Sequence, residues 1–259
     1  MSSSLQRLMS LDQRVAVVTG GAVGAGAAIA SRLAEGGASV VVADLDLNAA
    51  ERTAAAQGER TSAAAVDIGS AQSVRALAQT VLDRHGRVDI WVNNAGVYPR
   101  DPLLTMSPER WQRVIDVNLT GTFLCSQAAG RLMTDGGRGG VIVNVASLSA
   151  YRAPSPDMSH YVASKAGVVG LTRSLAVELG PARVRVVAVA PSFIRTDNAV
   201  KLLGGNETST ALAEFSNRTP LRRVVEADDV ATVVYFAVSD LAAMVTGSVL
   251  LVDGGQLAS

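Results

Sequence analysis

Cysteine, histidine and long apolar stretches are nearly missing from this 259-residue chain, and each absence excludes a class of protein. Cys125 is the single cysteine, so the chain has no internal disulfide, and its apolar helical surroundings predict a buried structural thiol. No segment approaches the roughly 18 uninterrupted apolar residues of a membrane-spanning helix. Residues 1–10 also lack an apolar core, and we expect a frayed polar arm there and not a signal peptide. The sequence therefore predicts a soluble, cytoplasmic protein with no membrane partner.

A charge excess of either sign is also missing, because 23 acidic residues balance 23 basic ones. This balance disfavours nucleic acid as the main partner. One of the two histidines, His85, falls at the predicted end of a helix, where we expect solvent around it, and we predict no metal site. Lysine is scarce too, since Lys165 and Lys201 are the only lysines among the 23 basic residues. The position of each lysine is therefore informative.

Short apolar runs alternate with amphipathic stretches along the rest of the chain. The runs predict strands at 15–18, 39–43, 62–66, 88–92, 141–145, 184–190 and 249–252. Helices are predicted between them, the longest at 107–133 and 159–179. Near-continuous apolar strands that alternate with helices indicate a parallel sheet covered on both faces. Because we find no linker or repeat, we predict one α/β domain over residues 1–259.

The segment 192–218 departs from this alternation. It is irregular, long for a loop in a compact domain, and contains the pair Gly204-Gly205. Segments of this kind often close over a bound substrate. We therefore predict that residues 192–218 form a mobile lid on the substrate side.

The stretch Thr19–Gly26 joins the first strand to the first long helix and carries four glycines. A strand, a glycine-rich turn and a helix N-terminus form a site for a dinucleotide pyrophosphate, because backbone N–H groups and the helix dipole both face the anion. A side chain at Gly20, Gly24 or Gly26 would obstruct that approach or the packing of the helix on its strand. The spacing is T-G-x-x-x-G-x-G and not G-x-G-x-x-G, because Ile29 stands at the third glycine position of the latter pattern.

The second strand ends at Asp44, eighteen residues after Gly26, where the adenosine ribose lies in this kind of fold. A carboxylate there accepts hydrogen bonds from both ribose hydroxyls of NAD and repels the phosphate that NADP carries at the same place. An NADP site would show arginine or lysine, whereas this chain has Leu45 after the strand and Ala22 and Val23 in the turn. We therefore predict NAD as the cofactor; the alternative is that Asp44 only caps the following turn.

Tyr161 and Lys165 form the second informative pair, since residues at i and i+4 share one face of a helix. That face continues through Val168 and Thr172, and a lysine buried there is costly unless its charge is used. A free phenol titrates at about 10, and a nearby ammonium supplies about the 4 kcal/mol needed to bring it towards 7. We predict that Lys165 lowers the pKa of Tyr161, which then exchanges a proton with an alcohol or ketone. The alternative is a snorkelling lysine beside a packed tyrosine.

Two further polar residues are expected near this pair. Ser147 ends the fifth strand fourteen residues before Tyr161, and its hydroxyl is placed to hold the substrate oxygen, with Ser149 as a neighbouring candidate. Asn118 falls on the apolar face of its helix and needs a hydrogen-bond partner. That partner is either a backbone carbonyl or a water that relays protons from Lys165.

In order and spacing, these motifs resemble the short-chain dehydrogenase/reductase family of the Tyr-x-x-x-Lys type, over nearly the whole chain from Arg14 to Gly255. The resemblance implies a Rossmann-like, doubly wound parallel sheet of seven strands and hydride transfer between a nicotinamide cofactor and a carbonyl or alcohol. It implies a catalytic tetrad of Asn118, Ser147, Tyr161 and Lys165. With Asp44, the cofactor-binding residues expected are Gly20, Val23, Gly24, Ala25, Gly26, Asp67, Ile68, Asn94, Ala95, Gly96, Tyr161, Lys165, Pro191, Ile194 and Thr196.

The resemblance also distributes these residues over the cofactor. It implies that the backbones of Val23 and Ala25 line the phosphates, and that Asp67 and Ile68 hold the adenine. It places Asn94 along the ribose and Lys165 on the nicotinamide ribose, and it sets Ile194 and Thr196 over the carboxamide.

Two departures from the family pattern concern the substrate side. Ser192 stands where glycine is usual, which adds a side chain close to the nicotinamide. The interval from Ser147 to Tyr161 is one residue longer than the family leads us to expect, so the loop 151–160 is predicted to bulge towards the substrate. Family members are commonly tetramers, and we expect a homotetramer built through the helices at 107–133 and 159–179 and the last helix and strand.

The leading hypothesis is an NAD-dependent oxidoreductase that acts on a small secondary alcohol or ketone, with Tyr161 as general acid/base. A β-ketoacyl-thioester reductase of fatty-acid synthesis shares the tetrad and is the alternative; it would want a basic patch beside the pocket and usually NADPH. A non-catalytic nucleotide-binding scaffold would be expected to lose Tyr161 or Lys165, and both are present. A methyltransferase would explain the glycine turn and Asp44 but not the Tyr–Lys pair.

Overall fold

The computed structural model describes residues 4–153, 155–196, 200 and 210–259. The helices are α1 (Ser4–Met9), α2 (Gly24–Glu35), α3 (Leu47–Gln57), α4 (Ala71–His85), α5 (Pro108–Ile115), α6 (Gly121–Asp135), α7 (Ser159–Leu179), α8 (Thr210–Arg218) and α9 (Ala227–Val238). The strands are β1 (Val15–Thr19), β2 (Ser39–Asp44), β3 (Thr61–Ala65), β4 (Ile90–Asn93), β5 (Gly140–Val145), β6 (Val184–Pro191), β7 (Ile194–Arg195), β8 (Val225–Glu226) and β9 (Val249–Val252).

Seven strands form one parallel sheet in the order β3-β2-β1-β4-β5-β6-β9, and β7 and β8 form a separate short pair. The chain starts in the middle of the sheet at β1, fills one side through β3, and then returns to β4 and fills the other. The order reverses between β1 and β4, and ligands bind at such a reversal, outside the carboxyl ends of the strands. The predicted single-domain, doubly wound α/β fold is confirmed.

Apolar residues bury both faces of the sheet. One core joins Ile29 and Leu33 of α2 and Val234 of α9 to the sheet. The other joins Leu77 of α4 and Met133 of α6 to the opposite face. The two-sided burial explains why the strand residues form continuous apolar runs and do not alternate.

Cys125 lies in this second core, 1% exposed, and burial raises the pKa of its thiol to about 12. The thiol therefore stays protonated at neutral pH and is inert, as predicted for a structural cysteine.

Three segments differ from their sequence-based predictions. The helix predicted at 107–133 is interrupted by one π-helical turn at Asp116–Thr120, and residues 4–9 of the predicted frayed arm form the short helix α1. In the predicted lid 192–218, the structure shows β7 and α8, whereas residues 197–199 and 201–209 lie outside the described residues. The prediction of a mobile lid stays untested.

Among the described residues, no helix combines the length and apolar character needed to cross a membrane. The same residues contain no group of three or more histidine, cysteine or carboxylate side chains arranged to hold a metal ion.

Candidate active site

The glycine turn is shaped by close backbone contacts at the switch point. Gly20 and Gly24 have φ values of 62° and 57°, which glycine adopts without strain. A Cβ on Gly20 would lie 2.7 Å from the Cα of Ala95, and one on Gly26 would lie 2.0 Å from the Gly20 carbonyl oxygen. Those two positions therefore admit no side chain. The N-cap of α2 is Val23, 56% exposed, so the first turn of the helix faces solvent at the edge of the sheet.

Asn94 holds this turn in place. Its side-chain amide donates to the carbonyl oxygens of Thr19 (3.1 Å) and Gly20 (2.9 Å). The Thr19 hydroxyl accepts in return from the backbone N–H groups of Asn94 (3.2 Å) and Ala95 (3.3 Å). The predicted cofactor residues Asn94 and Ala95 thus reach the glycine turn, and the Asn94 side-chain amide holds it in place.

Asp44 ends β2 beside the same turn. Its carboxylate accepts from the backbone N–H of Ala22 (3.1 Å) and from that of Asp46 (3.2 Å). The first bond ties the carboxylate to the glycine turn, and the second makes it a cap for the following turn, as the alternative interpretation expected. The role of Asp44 in binding the ribose hydroxyls stays a prediction. Leu45 follows with its side chain 76% exposed.

Asp67 and Ile68 follow β3, the strand next to β2, at the same edge of the sheet. The exposed Asp67 carboxylate accepts from the backbone N–H of Gly69 at 2.9 Å, which fixes its direction. The Ile68 side chain is 7% exposed and packs against Gly121, where a Cβ would lie 3.0 Å from it. Only the backbone of Ile68 is therefore available to a ligand.

Pro191, Ile194 and Thr196 approach the glycine turn from β6. Pro191 ends β6 and is buried, while Ile194 and Thr196 are half-buried. A Cβ on Gly24 would lie 3.3 Å from the Thr196 methyl group, so Thr196 faces the turn directly. The structure thus gathers residues from β1, β2, β4 and β6 at one edge, as the positions of the strand ends predicted.

Tyr161, Ser147 and Lys165 lie together at this edge. The Ser147 hydroxyl lies beside the Tyr161 phenol, whose pKa it lowers, and it accepts from the backbone N–H of Ser149 at 3.0 Å. The Lys165 ammonium lies 5.8 Å from the centroid of the Tyr161 ring and donates to the Val145 carbonyl oxygen at 2.8 Å. A half-buried phenol is therefore flanked by a hydroxyl and an amine.

The pKa values of this pair differ from the sequence-based expectation. Burial raises the pKa of Tyr161, Ser147 lowers it in part, and Tyr98 raises it further. Burial also lowers the pKa of Lys165 to about 8. The prediction that Lys165 brings the Tyr161 pKa towards neutrality is wrong for the protein by itself, because the ammonium is directed at the ring and at Val145, and because the same burial disfavours its charge.

Asn118 lies in the π-helical turn and is fully buried. Its amide oxygen accepts from the Val97 N–H and its amide nitrogen donates to the Val97 carbonyl oxygen, both at 2.8 Å. The nitrogen also donates to the Ser164 hydroxyl at 3.2 Å. Of the two expected partners, the structure shows the backbone carbonyl. A Cβ on Gly96 would lie 3.1 Å from the Asn118 amide oxygen and 3.7 Å from the Lys165 nitrogen, so both side chains end next to Gly96.

Sequence reasoning missed a buried ionic cluster directly before Tyr161. His160 is fully buried, its Nδ1 accepts from the backbone N–H of Tyr161 at 2.9 Å, and its Nε2 lies 3.2 Å from the Asp101 carboxylate. Asp101 is 2% exposed and also pairs with Arg110 of α5 at 2.6 Å. The cluster ties the loop after β4 to the first turn of α7. A signal was present, since His160 falls one residue before Tyr161, but no spacing rule links it to Asp101.

Two aromatic contacts mark the outer wall of the site. Tyr98 meets Tyr161 edge to face, with ring centroids 6.4 Å apart. Phe193, two residues after Pro191, stacks on Phe215 of α8 at 4.5 Å. The first contact places the loop after β4 beside Tyr161, and the second ties helix α8 to the segment that follows β6.

Comparison with known proteins gives consistent results. The family model described as "Enoyl-(Acyl carrier protein) reductase" matches residues 20–256. D-threitol dehydrogenase of Mycolicibacterium smegmatis is 41% identical over 248 residues, which cover 95% of this chain and 93% of that protein.

Solved structures agree over the same length. A short-chain type dehydrogenase/reductase from Mycobacterium marinum superposes with a TM-score of 0.91 at 35% identity, covering 98% of this chain and 99% of that one. The 3-ketoacyl-(acyl-carrier-protein) reductase from Brucella melitensis, in complex with NADH, gives 0.87 at 36% identity, covering 96% and 100%. Sequence, fold and site agree that this chain belongs to the short-chain dehydrogenase/reductase family of oxidoreductases.

Proposed function

We propose that this oxidoreductase transfers a hydride between NAD(H) and a secondary alcohol or ketone, with Tyr161 as general acid/base. The observation that carries the proposal is the group formed by Tyr161, Ser147 and Lys165 beside the glycine turn. The half-buried Tyr161 hydroxyl, beside a serine and backed by a lysine, is suited to exchanging a proton with a substrate oxygen. A purely structural tyrosine would not need a lysine that is 5% exposed behind it.

The residues at the switch point fit a dinucleotide. Gly20 and Gly26 have no room for a Cβ, Val23 opens α2 towards solvent, and the Asp44 carboxylate is aimed by the Ala22 N–H. A helix N-terminus and a bare backbone favour a pyrophosphate, and a carboxylate at the end of β2 favours ribose hydroxyls over a phosphate. When bound, the nicotinamide supplies or accepts the hydride. The relative from Brucella melitensis, solved with NADH, supports the choice of cofactor.

The remaining residues have assigned roles in this proposal. Gly20, Val23, Gly24, Ala25 and Gly26 hold the pyrophosphate through their backbone. Asp44, Asp67, Ile68, Asn94, Ala95 and Gly96 surround the adenosine side, and Lys165, Pro191, Ile194 and Thr196 surround the nicotinamide side. Ser147 orients the substrate oxygen towards Tyr161.

Proton supply follows a short path. In our proposal, Lys165 returns the proton to Tyr161. Asn118 holds the backbone of Gly96 and Val97 in place beside that lysine. The 2.8 Å bonds between Asn118 and both polar groups of Val97 support a positioning role for Asn118. A low pKa of about 8 for Lys165 supports proton exchange at that amine near neutral pH.

The second candidate is reduction of a β-ketoacyl thioester. It is favoured by the likeness to the 3-ketoacyl-(acyl-carrier-protein) reductase from Brucella melitensis, which was solved with NADH and therefore weakens the expectation that such a reductase uses NADPH. The likeness to D-threitol dehydrogenase favours a small polyol or alcohol instead. Both candidates use the same chemistry at Tyr161.

A homotetramer is part of the proposal. It is supported by apolar side chains left exposed on the expected contact elements, including Phe123 (41% exposed) on α6 and Val177 (80%) on α7, and Leu251 (44%) on β9. Size-exclusion chromatography with light scattering measures this directly. The cytoplasmic location stays a prediction.

A substrate panel tests the proposal. Secondary alcohols with NAD, and ketones and β-ketoacyl thioesters with NADH, are followed at the NADH absorbance band, each beside NADP(H). We expect turnover of at least one substrate class with NAD(H). Absence of NADH turnover across the panel, in a protein that binds NADH, would contradict an oxidoreductase role for this site.

A further inference from the structure

An arginine-lined cavity lies outside the group of residues described above. It has a volume of about 580 Å³, and Arg152, Arg218 and Arg222 line it together with Asn217 and Thr219. Among the described residues that line it, none carries an acidic side chain. Arg152 thus comes from one segment and Arg218 and Arg222 from another, and Pro220 and Ser259 complete the lining of the cavity.

The hydrogen bonds of these arginines leave much of their donor capacity unused. Arg152 Nη1 donates to the Gln256 carbonyl oxygen at 3.4 Å, and Arg222 Nη1 donates to the Asn217 carbonyl oxygen at 3.1 Å. Arg218 is 3.9 Å from the Glu214 carboxylate, at the outer limit for an ion pair. Each guanidinium has five N–H donors, so these contacts neutralise little of its positive charge.

Arg223, the residue after Arg222, differs because an acidic side chain pairs with it. Arg223 forms a two-pronged pair with the Asp229 carboxylate, with one of its nitrogen–oxygen distances at 2.7 Å. Arg222 instead faces the cavity, and its backbone has a φ of 56°, a left-handed conformation that favours glycine. Strained positions of this kind often mark functional residues.

The wall that carries Arg222 is held firmly. The Arg222 N–H donates to the Thr219 carbonyl oxygen at 2.7 Å, which closes the turn. A Cβ on Gly254 would lie 2.4 Å from the Thr219 methyl group, so the turn rests directly on the backbone after β9. The cavity is thus formed by packed chain and not by loose side chains alone.

Both walls begin at the active-site edge. Arg152 follows Ser147 by five residues, and its backbone N–H donates to the Leu148 carbonyl oxygen at 3.3 Å. The other wall is the end of α8, whose Phe215 stacks on Phe193 at 4.5 Å.

We propose that the cavity of Arg152, Arg218 and Arg222 is a subsite for an oxyanion, phosphate or carboxylate, at the far end of the substrate. The inference rests on the proposed hydride transfer at Tyr161 and narrows its substrates to alcohols or ketones that carry an anionic group away from the reacting carbon. Planar guanidinium groups recognise both oxyanions through paired hydrogen bonds. This is the basic patch that a thioester carried on a phosphate-bearing arm needs.

Matched substrates separate the two oxyanions. Acetoacetyl-CoA is compared with the S-acetoacetyl derivative of N-acetylcysteamine, which has the same thioester without phosphates, and 4-oxopentanoate is compared with 2-pentanone. We expect the protein to prefer the anionic member of at least one pair. Arg152→Gln and Arg222→Gln should each raise KM for that member by about tenfold and leave the neutral member within about twofold.

Arg75→Gln on α4 is the matched control, since Arg75 is an exposed arginine outside the cavity. Arg222→Gly is a second variant that keeps the turn intact, because glycine adopts the positive φ without strain. It should lose the same preference while its melting temperature is maintained or raised.

A binding measurement keeps this inference separate from the proposed function. Isothermal titration with inorganic phosphate, acetate and CoA is run on the parent and on the Arg152→Gln, Arg222→Gln double variant. Binding that the double variant loses supports the subsite even if no ketone in the panel is turned over. Equal KM changes for charged and neutral ketones, or equal anion binding by parent and double variant, would overturn it and leave the hydride-transfer proposal standing.

Discussion

Removal of the Asp101 carboxylate is a sharp test of the buried cluster before Tyr161. His160 Nδ1 accepts from the Tyr161 N–H, so the ring proton sits on Nε2 and points at Asp101, 3.2 Å away. In Asp101→Ala that N–H has no partner and stays buried, since His160 is 0% exposed. An unsatisfied buried donor costs about 1–3 kcal/mol.

Loss of the ion pair between Asp101 and Arg110 lowers the free energy of unfolding by a smaller amount. Arg110 is 62% exposed and is rehydrated when Asp101 is removed, so its share is about 0–1 kcal/mol. The sum predicts a free energy of unfolding lowered by about 1–4 kcal/mol, or a melting temperature lowered by roughly 2–16 °C. Because the cluster sets the first turn of α7, we also expect kcat to fall while the affinity for NADH is kept.

Thermal and urea unfolding measure the effect, with Arg110→Gln as the matched control. That variant removes only the exposed partner and should cost less than about 1 kcal/mol. Asp101→Asn keeps an acceptor for His160 and should fall between the two. If Asp101→Ala is no less stable than Arg110→Gln, the reasoning about the buried His160 donor is refuted.

Three further predictions concern the cofactor turn and the buried amine. Asp44→Ser should remove most of an NAD preference of at least about tenfold in kcat/KM, and a parent that uses both cofactors equally would contradict the role of Asp44. Gly26→Ala places a Cβ 2.0 Å from the Gly20 carbonyl oxygen and should abolish NADH binding by titration, whereas Gly58→Ala, with nothing within 4 Å but a φ of 96°, should cost only stability. Lys165 has a folded pKa of about 8 against 10.5, so the unfolded chain binds more protons between these values and stability should rise with pH. From pH 8 to 10, the free energy of unfolding of the parent should rise by on the order of 2–3 kcal/mol more than that of Lys165→Met. Parallel curves of unfolding free energy against pH for the two proteins would refute this prediction.

The fold could be predicted because its signals are local. The central strands β1, β2, β4, β5 and β6 are near-continuous apolar runs that the two cores cover, and each predicted strand overlaps an observed one within two residues. The glycines at 20, 24 and 26 and the i, i+4 pair of Tyr161 and Lys165 are short-range patterns. Such patterns can be recognised in the sequence without knowledge of the tertiary contacts.

The contacts that tune the site could not be predicted in the same way. Asp101 and His160 are 59 residues apart, and nothing in their spacing pairs them. The π-helical turn around Asn118 has the same apolar periodicity as an α-helix, so the sequence predicted one continuous helix.

The direction of the Tyr161 pKa shift could not be predicted, because sequence spacing shows the charge of Lys165 near the phenol but not how deeply the two groups are buried. The structure adds the desolvation of both groups and directs the ammonium to Val145, which reverses the sign for Tyr161.

The rate of hydride transfer in Tyr161→Phe tests the central claim most directly. The substitution keeps the ring that packs against Tyr98 and removes only the hydroxyl beside Ser147. Turnover is followed at the NADH absorbance band with the best substrate of the panel, and NADH affinity is titrated beside it. We predict that turnover falls roughly 100-fold or more with NADH affinity unchanged. A variant that keeps turnover within about tenfold of the parent would contradict the assignment of Tyr161 as general acid/base.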